Sequence, residues 1–475
     1  MARELKSGEP LEADVVDLAH DGRGIARLAG KAVFIEGALP GERVRFRVIK
    51  RRRRLEEAVL LEILTASPDR VTPRCAHFGL CGGCSLQHLS ADAQLAAKQR
   101  QLLDNLERIG GVRPQRVIEA LKGPAFAYRR RARLGVKYVH KKGRVLAGFR
   151  ERDKPYLADL RRCEILLERF ATLPEELATL VERLSIREHI PQVEVAAGDA
   201  TAALVFRIMQ PLSADDAAAL ERFGTRLGVQ IHLQPGGLDT IHPLLGDAPP
   251  LEYAVDEGRV TLEFGPSDFV QINREVNLAV VDAAQRLLAP EPADRVLDLF
   301  CGLGNFTLPL SRRAAAVVGV EGDAGLVRKA RGNALRNGIG NVEFFTENLF
   351  EPARLGPWAE RAFDLVLLDP PRAGAVEIME RMAQWRPRRV VYISCHPGSL
   401  ARDAGILVRG QGYRLIGAGV MDMFPHTRMS NRWPCSSTGR DLGPSHGRRG
   451  GGVFEPRRRR RAVPSARGKR STLYS

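Results

Sequence analysis

The alternation of apolar runs with helix-forming segments constrains the C-terminal half of this chain more than any other feature. Five short apolar runs follow Asp294, and a segment with helical periodicity separates each from the next. The runs cover residues 296–300, 316–321, 342–346, 364–368 and 390–394. Because parallel strands need helical crossovers, this pattern predicts a doubly wound α/β domain that binds ligands at the carboxyl ends of its strands.

The first of these runs leads into a glycine-containing turn, VLDLFCGLGNFT, at residues 296–307. Gly302 and Gly304 have no Cβ atom and therefore let a ligand approach the backbone. Glu321 ends the next run, where a carboxylate accepts hydrogen bonds from both hydroxyls of a ribose. The turn lacks the third glycine of the dinucleotide fingerprint, which favours S-adenosylmethionine as the cofactor. A plain strand–helix turn would leave Glu321 unexplained.

Two later runs are also followed by residues that can take part in a chemical reaction. Asp369 opens the sequence DPPR, whose two prolines predict a rigid exposed loop that forms one wall of a substrate pocket. Cys395 follows the last run in the sequence SCHP. A lone cysteine is more often a small buried apolar residue, and Cys301 fits that description. The position of Cys395 at a strand end instead favours a nucleophile, which reacts as a thiolate.

The N-terminal third predicts a small barrel and a separate thiol site. Short strand-like runs and glycine turns at residues 10–65 suit a five-stranded barrel of the oligonucleotide-binding kind. The basic run at residues 50–54 then suits phosphate contact or a solvated face. Beyond the barrel, four thiols fit zinc and an iron–sulfur cluster equally well, with His77 and His88 as spare ligands. These thiols belong to Cys75, Cys81, Cys84 and Cys163.

The formal net charge of +17 points to a polyanionic partner, but it is unevenly placed. Residues 428–475 hold thirteen of the 73 Lys and Arg and two of the 56 Asp and Glu, which leaves +6 for residues 1–427. Basic segments at residues 128–133 and 140–144 are interleaved with aromatic residues, as in proteins that stack single-stranded bases, or form a solvated face. The aromatic residues are Phe126, Tyr128, Tyr138 and Phe149.

The remaining composition indicates a cytoplasmic globular protein without a membrane partner. No run of 18 apolar residues is present, and the first residues lack the apolar centre of a secretion signal. Seven cysteines in 475 residues are too few for a disulfide scaffold, so a reducing compartment is expected. Nothing in the sequence implies a stable protein partner.

In combination, these motifs resemble those of the RNA (uracil-C5)-methyltransferases. The barrel is similar to a TRAM domain, and residues 269–273 (FVQIN) match a further family motif. A barrel together with an iron–sulfur site is typical of the branch that acts on 23S rRNA. The resemblance therefore implies S-adenosylmethionine-dependent methylation of a flipped-out, single-stranded or loop uridine in 23S rRNA.

The resemblance also implies a role for each matching residue. Cys395 would attack C6 of the uracil, and Asp369 would act at the junction of cofactor and uracil. A [4Fe–4S] cluster would be held by Cys75, Cys81, Cys84 and Cys163. The cofactor would be held by Gln271, Phe300, Asn305, Glu321, Asn348 and Asp369. His396 departs from the family, which has Asn there, and leaves the polar contacts to the base open.

The resemblance divides the chain into interleaved domains: a multidomain α/β protein with a TRAM barrel, an α+β iron–sulfur domain and a Rossmann-like methyltransferase domain. The predicted boundaries are 1–66 for the barrel, 67–92 and 125–262 for the central domain, 93–124 and 263–427 for the methyltransferase domain, and 428–475 for a basic tail.

The tail departs from the family directly after Thr427. With codons chosen for residues 426–437, inserting one G after the Thr427 codon ACG changes the translation to His-Thr-Ala-His-Val-Glu-Ser-Met-Ala-Leu-Phe-Glu. This translation restores the glutamate that the family uses as the proton-abstracting base, followed by an apolar last strand. We therefore expect residues 428–475 to be out of frame, with loss of the last strand, an exposed sheet edge and poor turnover. The alternative is a natural RNA-binding tail, which the basic run at residues 457–461 would suit.

Two other functions compete with this interpretation. A non-catalytic RNA-binding or ribosome-assembly protein could use the same scaffold, and a Cys395→Ala variant would distinguish it from an enzyme. A radical methylthiolating enzyme with a TRAM barrel would need a Cx3Cx2C motif, which the sequence lacks.

Overall fold

The structure is a computed structural model that describes residues 9–427 and 449–456. Its strands are β1 (Leu11–Leu18), β2 (Gly24–Leu28), β3 (Lys31–Glu36), β4 (Arg43–Arg51), β5 (Leu55–Thr65), β6 (Arg116–Val117), β7 (Arg131–Val139), β8 (Arg144–Gly148), β9 (Gln192–Ala197), β10 (Ala202–Arg207), β11 (Gln230–Gln234), β12 (His242–Pro243), β13 (Leu251–Val255), β14 (Val260–Phe264), β15 (Arg295–Leu299), β16 (Ala316–Glu321), β17 (Val342–Thr346), β18 (Leu365–Leu368), β19 (Arg389–Ser394), β20 (Tyr413–Met421) and β21 (Arg449–Pro456). Its helices are α1 (Ala91–Arg108), α2 (Leu173–Glu182), α3 (Ala214–Leu227), α4 (Arg274–Leu288), α5 (Thr307–Ser311), α6 (Ala324–Arg336), α7 (Val376–Met379), α8 (Met382–Trp385) and α9 (Pro397–Gly405).

The first five strands confirm the predicted barrel. They close in the order β1-β2-β3-β5-β4 around a core that includes Val33, Phe46 and Ala58. Alternate residues of β4 point inward, so Val44, Phe46 and Val48 are buried while the arginines between them face outward. Residues 50–54 are exposed and form the end of β4 together with its connection to β5. This basic connection is therefore displayed at one end of the barrel.

The central part of the chain is an open sheet covered by two helices. Its strand order is β12-β11-β10-β9-β7-β8, with α2 against β8 and α3 against β11. The basic segments predicted to contact RNA or to form a solvated face lie at the start of β7 (128–133) and in the turn between β7 and β8 (140–144). The hairpin of β13 and β14 then connects this part to α6, because Asn333 and Asn337 side chains accept backbone N–H groups of β14.

The C-terminal half confirms the predicted doubly wound sheet. The strand order is β17-β16-β15-β18-β19-β21-β20-β6, and β15 to β19 run parallel. The order reverses between β15 and β18, which is the switch point where such sheets bind ligands. Two earlier elements also join this half: α1 packs against α9 and β20, and β6 extends the sheet beside β20.

The expected loss of the last strand was wrong. Strand β21 lies antiparallel between β19 and β20, so Phe454 pairs with Val390 on one side and Leu415 on the other. Phe454 is fully buried, and Glu455 forms an ion pair with Arg389 at 3.0 Å. The tail therefore supplies its own strand because it contains one short apolar segment of the right size. The rest of the predicted basic tail, at 428–448 and 457–475, lies outside the described residues.

Across the described part of the chain, every helix is too short or too polar to cross a membrane.

Candidate active site

The cofactor turn predicted after β15 has the backbone of a ligand-binding loop. Phe300, Gly302 and Gly304 have φ values of 64°, 55° and 92°, which only glycine adopts without strain. The strained backbone at Phe300 is the kind that persists at functional sites. Space beside Gly302 is open, since a Cβ atom built there meets no atom within 4 Å. The turn thus combines a fixed backbone with room for a ligand.

The Glu321 side chain is oriented toward this turn. Its carboxylate accepts the N–H groups of Gly302 and Asp323, both at 3.1 Å. Burial raises the pKa of Glu321. The Glu321 carboxylate therefore joins the ends of β15 and β16, and it retains further lone pairs for ribose hydroxyls.

Asp298 makes this strand edge electrostatically suited to a cation. The side chain is fully buried and accepts a hydrogen bond from Thr307 Oγ1 at 2.6 Å, while its Oδ1 has no hydrogen-bond partner among the described residues. Burial, together with the charges of Asp369 and Glu321, raises the pKa of Asp298 to about 7. The carboxylates of Asp298, Glu321 and Asp369 therefore repel one another near the ends of three neighbouring strands. S-adenosylmethionine carries a sulfonium and an ammonium group, which would relieve this repulsion.

Further predicted cofactor residues surround the same edge. Asn305 forms a reciprocal pair of amide hydrogen bonds with Asn277, each 3.1 Å long, and Tyr253 OH donates to Asn305 Oδ1 at 3.2 Å. Gln271 lines a narrow cleft that Asn277 and Tyr253 also line. The sequence did not point to Asn277 or Tyr253, because neither stands in a recognisable motif.

Asn348 holds the loop that follows β17 at this edge of the sheet. Its amide donates to Glu351 Oε1 at 2.8 Å and accepts the Phe350 N–H at 3.1 Å. Phe350 lies against Phe300 with ring centroids 5.8 Å apart. Asn348 thereby fixes an aromatic pair that borders the cofactor turn.

Cys395 occupies the predicted strand end. It follows β19, is 7% exposed and lies shortly before α9. Leu368 pairs with Tyr392, and Leu368 also pairs with Leu299. Phe300, Asp369 and Cys395 therefore leave neighbouring strands at the same edge of the sheet.

A buried aspartate that the sequence did not indicate links the loop of Asp369 to the helix after Cys395. Asp403 accepts the Ala375 N–H at 2.8 Å and the Tyr392 hydroxyl at 2.6 Å, and its other oxygen accepts Arg402 Nε at 2.8 Å. Arg402 in turn donates to the Ala373 carbonyl at 2.7 Å. The loop is closed by Gly374, where a Cβ atom would stand 2.5 Å from Asp403 Oδ2. No recognisable motif marks Asp403, although it is the one acid on α9.

The four predicted cysteine ligands converge on one small cleft of about 20 Å³, and all four are free thiols. Burial raises the pKa of each thiol, and for Cys81 burial together with the neighbouring Cys163 and Cys75 raises it to about 12. Within residues 9–427 and 449–456, no three His, Cys, Asp or Glu side chains are placed to hold a metal ion. A zinc ion needs its ligands around a single point, whereas a cluster several atoms across needs thiols around a space.

The surroundings of the cleft also suit an anionic cluster. Arg129 is 3% exposed, and burial lowers its pKa while nearby Cys163 and Cys84 thiolates would raise it. The Gly83 N–H donates to Cys81 Sγ at 3.4 Å. Of the two histidines predicted as spare ligands, His77 lines the cleft, and its Nε2 accepts the Arg161 N–H at 3.2 Å. His88 packs on Phe78 and does not line the cleft.

The aromatic residues expected to stack RNA bases are largely part of the interior. Tyr128 is 1% exposed and donates to the Pro425 carbonyl at 3.1 Å, so that expectation was wrong for it. Phe126 packs against His426 with centroids 4.4 Å apart, and Phe149 lines the cysteine cleft. Tyr138 is half-buried and contacts His140 and Arg187.

The basic segments that accompany these aromatic residues are mostly neutralised by acids. Arg130 pairs with Asp199 at 2.6 Å, and Arg133 pairs with Glu194 at 2.9 Å. Arg131 faces the same glutamate at 3.6 Å. Alternation along β7 places Arg131 and Arg133 on the same face of the sheet, where both meet Glu194. The connection at residues 50–54 remains the more exposed basic feature.

Residues 423–427 connect the cysteine loop to the catalytic edge. The His426 carbonyl accepts the N–H groups of Ser85 and Leu86 at 2.8 and 3.0 Å. The His426 N–H donates to Gln94 Oε1 on α1 at 2.9 Å. The residues directly after Cys84 are therefore tied to the segment that follows β20.

Comparison with known proteins agrees with this architecture. The sequence model of the tRNA (Uracil-5-)-methyltransferase family matches residues 90–431, and that of the TRAM domain matches residues 4–61. A relative from Stenotrophomonas maltophilia, 23S rRNA (uracil(1939)-C(5))-methyltransferase RlmD, is 51% identical over 421 residues, which cover 88% of this chain and 95% of the relative. The protein of the same name from Methylococcus capsulatus is 50% identical over 426 residues, which cover 90% of this chain and 96% of that relative.

A solved structure shares the fold. The Pyrococcus abyssi tRNA (uracil-54, C5)-methyltransferase, in complex with S-adenosyl-L-homocysteine, superposes with a TM-score of 0.70 at 22% identity and covers 94% of this chain and 100% of its own.

Proposed function

Since the chain belongs to the tRNA (uracil-5-)-methyltransferase family, we propose that it transfers a methyl group from S-adenosylmethionine to C5 of a uridine in 23S rRNA. The uridine is of the kind named in its relatives, uracil 1939. The observation that carries the proposal is the convergence of Phe300, Asp369 and Cys395 at one edge of the sheet. A nucleophile and a cofactor turn are needed together only for a transfer reaction, and a pure RNA-binding protein needs neither.

The chemistry follows from the nucleophile. The Cys395 thiolate adds to C6 of the uracil and forms an S–C6 bond, and the displaced electron pair makes C5 nucleophilic. C5 then takes the methyl carbon as its bond to the sulfonium sulfur breaks, which releases S-adenosylhomocysteine. A base removes the proton at C5, the C5=C6 double bond re-forms, and Cys395 leaves as the thiolate. The carboxylates of Asp298, Glu321 and Asp369 would hold the cationic methyl donor at this edge.

We further propose that Cys75, Cys81, Cys84 and Cys163 hold a [4Fe–4S] cluster. Four thiols around an apolar cleft beside a buried arginine support a cluster more than zinc. When bound, the cluster would cross-link the loop at residues 75–84 to residue 163 and so complete the fold around the cleft. Ser85 and Leu86 would then be held in place to bind His426.

Methyl transfer to a 23S rRNA fragment with labelled S-adenosylmethionine tests the main proposal. We expect methylation at C5 with the wild-type Cys395 and none with Cys395→Ala, while RNA binding is retained in both. Cys301→Ala is the matched control, because Cys301 is a buried packing thiol. Equal function of the Cys395→Ala variant in ribosome assembly, without methylation by either protein, would instead support the non-catalytic RNA-binding alternative.

The chain beyond Thr427 affects only the final step of this chemistry. We propose that residues 428–475 are out of frame, supported by the family match that ends at residue 431. The chain as it stands would lack its base and stall as a covalent RNA adduct on a denaturing gel, whereas the frame-restored chain would turn over. Full turnover by the unrestored chain would contradict this proposal, and sequencing of the gene across the Thr427 codon tests the frame directly.

A further inference from the structure

The residue after the nucleophile forms the N-terminal cap of α9. His396 has an extended backbone (φ −140°, ψ 106°), and its Nδ1 accepts the Ser399 N–H at 3.1 Å. Caps are usually Ser, Thr, Asp or Asn, whose oxygen accepts at any physiological pH. An imidazole accepts at Nδ1 only while that nitrogen carries no proton, so the neutral tautomer with hydrogen on Nε2 is required here.

The same residue fixes the turn on both sides of Cys395. The His396 N–H donates to Ser394 Oγ at 3.1 Å, and Ser399 Oγ donates to the His396 carbonyl at 3.0 Å. Pro397 then opens the helix with its fixed φ. Cys395 therefore lies between Ser394 and His396, which are hydrogen-bonded to each other, directly before the positive end of a helix dipole.

From this geometry we propose that His396 is a positioning residue for Cys395, and that it holds the nucleophile turn only while its imidazole is neutral. The inference rests on the proposed function, in which Cys395 is the nucleophile. It also explains how His396 can stand where the family has asparagine, because histidine Nδ1 and asparagine Oδ1 are both acceptors bonded to Cγ.

The charges around His396 set the pH at which the cap is lost. Burial, Arg372 and Arg402 lower the pKa of His396 below its ordinary value. Arg372 comes from the loop of Asp369, and Arg402 is bound to Asp403 on α9. Protonation would place an N–H against the Ser399 N–H and a third cation beside two arginines. The cap is thus present at neutral pH and is lost as the pH falls through this lowered pKa.

Alkylation of Cys395 by iodoacetamide tests this inference without RNA or methyl donor. The rate is followed by mass spectrometry of the Cys395 peptide for the wild type, His396→Asn and His396→Ala, between about pH 5 and 8. The thiol's own titration cancels in the ratio of wild type to His396→Asn. We expect a constant ratio near neutral pH that falls about fivefold toward pH 5, the effect of a lost N-cap. His396→Ala should be about fivefold slower than His396→Asn at every pH.

A ratio of wild type to His396→Asn that stays flat to pH 5 would overturn the inference, even if His396→Ala fails to fold. Adduct formation with RNA that carries 5-fluorouridine should show the same pH dependence, because fluorine at C5 blocks the final proton abstraction. A chain that shows the alkylation break but forms no adduct would refute the proposed function and leave the capping inference intact.

Discussion

Replacing Phe454 by alanine tests whether β21 fills the sheet in solution. Phe454 is fully buried between β19 and β20, in a core that also contains Trp358 and Trp385. Removing a buried phenylalanine side chain forfeits about 1.5–3 kcal/mol of transfer free energy. The unfilled cavity adds to this loss, and measured values for such truncations are about 3–5 kcal/mol. Glycines at 450–452 carry no side chains that could collapse into the space, which favours the upper part of that range.

Urea denaturation followed by tryptophan fluorescence measures this loss, because Trp358 and Trp385 report on the same core. The control is Leu335→Ala, since Leu335 on α6 is 81% exposed and its truncation should change the unfolding free energy by less than about 0.5 kcal/mol. If Phe454→Ala shifts the transition no more than the control does, then β21 does not lie between β19 and β20, and the conclusion that the tail supplies a strand of this sheet is wrong.

Four further predictions concern the site and its surface. Asp403→Asn should slow single-turnover methyl transfer about tenfold or more with the fold retained, because a buried charged acceptor is worth about 1.5–3 kcal/mol per hydrogen bond; an unchanged rate would contradict its positioning role. Cys84→Ser should lower the iron content and visible absorption of anaerobically purified protein, and Cys301→Ser should change neither. The affinity for S-adenosylmethionine should fall as the pH falls through about 7, since a cation favours ionised Asp298, and calorimetry should find Asp298→Asn nearly independent of pH there. Replacing Arg53 and Arg54 by alanine should weaken RNA binding and reduce its salt slope by about 0.7–0.9 per removed phosphate contact; an unchanged slope would place the RNA elsewhere.

The strand ends of the catalytic domain were predictable because their signals are local. Apolar runs ending in glycine, an acid or DPPR identify where parallel strands stop, and the structure places Gly302, Glu321 and Asp369 at those stops. Parallel pairing then brings the stops to one edge without further information. The grouping of the four cysteines was also predictable, because Cys75, Cys81 and Cys84 are close in the chain and Cys163 follows two arginines rather than standing in an apolar run.

Other features depended on contacts that a single sequence does not encode. Arg130 and Arg133 look like an RNA-binding surface until β9 and the following loop bring Glu194 and Asp199 against them. Asp403 shows its importance only when the loop of Asp369 folds over α9. Strand β21 was missed because its eight residues pair with strands far away in the chain, and long-range pairing overrides weak local propensity.

The register of the sheet separates the effect of the residues after Thr427 on folding from their effect on the chemistry. Ser394 on β19 and Val420 on β20 both pair with Gly450, so these two strands end at the same edge. The segment after β20 therefore leaves the sheet beside the turn of Cys395, and the Thr427 hydroxyl anchors it by donating to the Phe424 carbonyl at 2.9 Å. The residues after Thr427 thus start from a fixed point at the catalytic edge, where a base is needed. Because β21 already fills the sheet, restoring the reading frame should change the final proton abstraction far more than the free energy of unfolding.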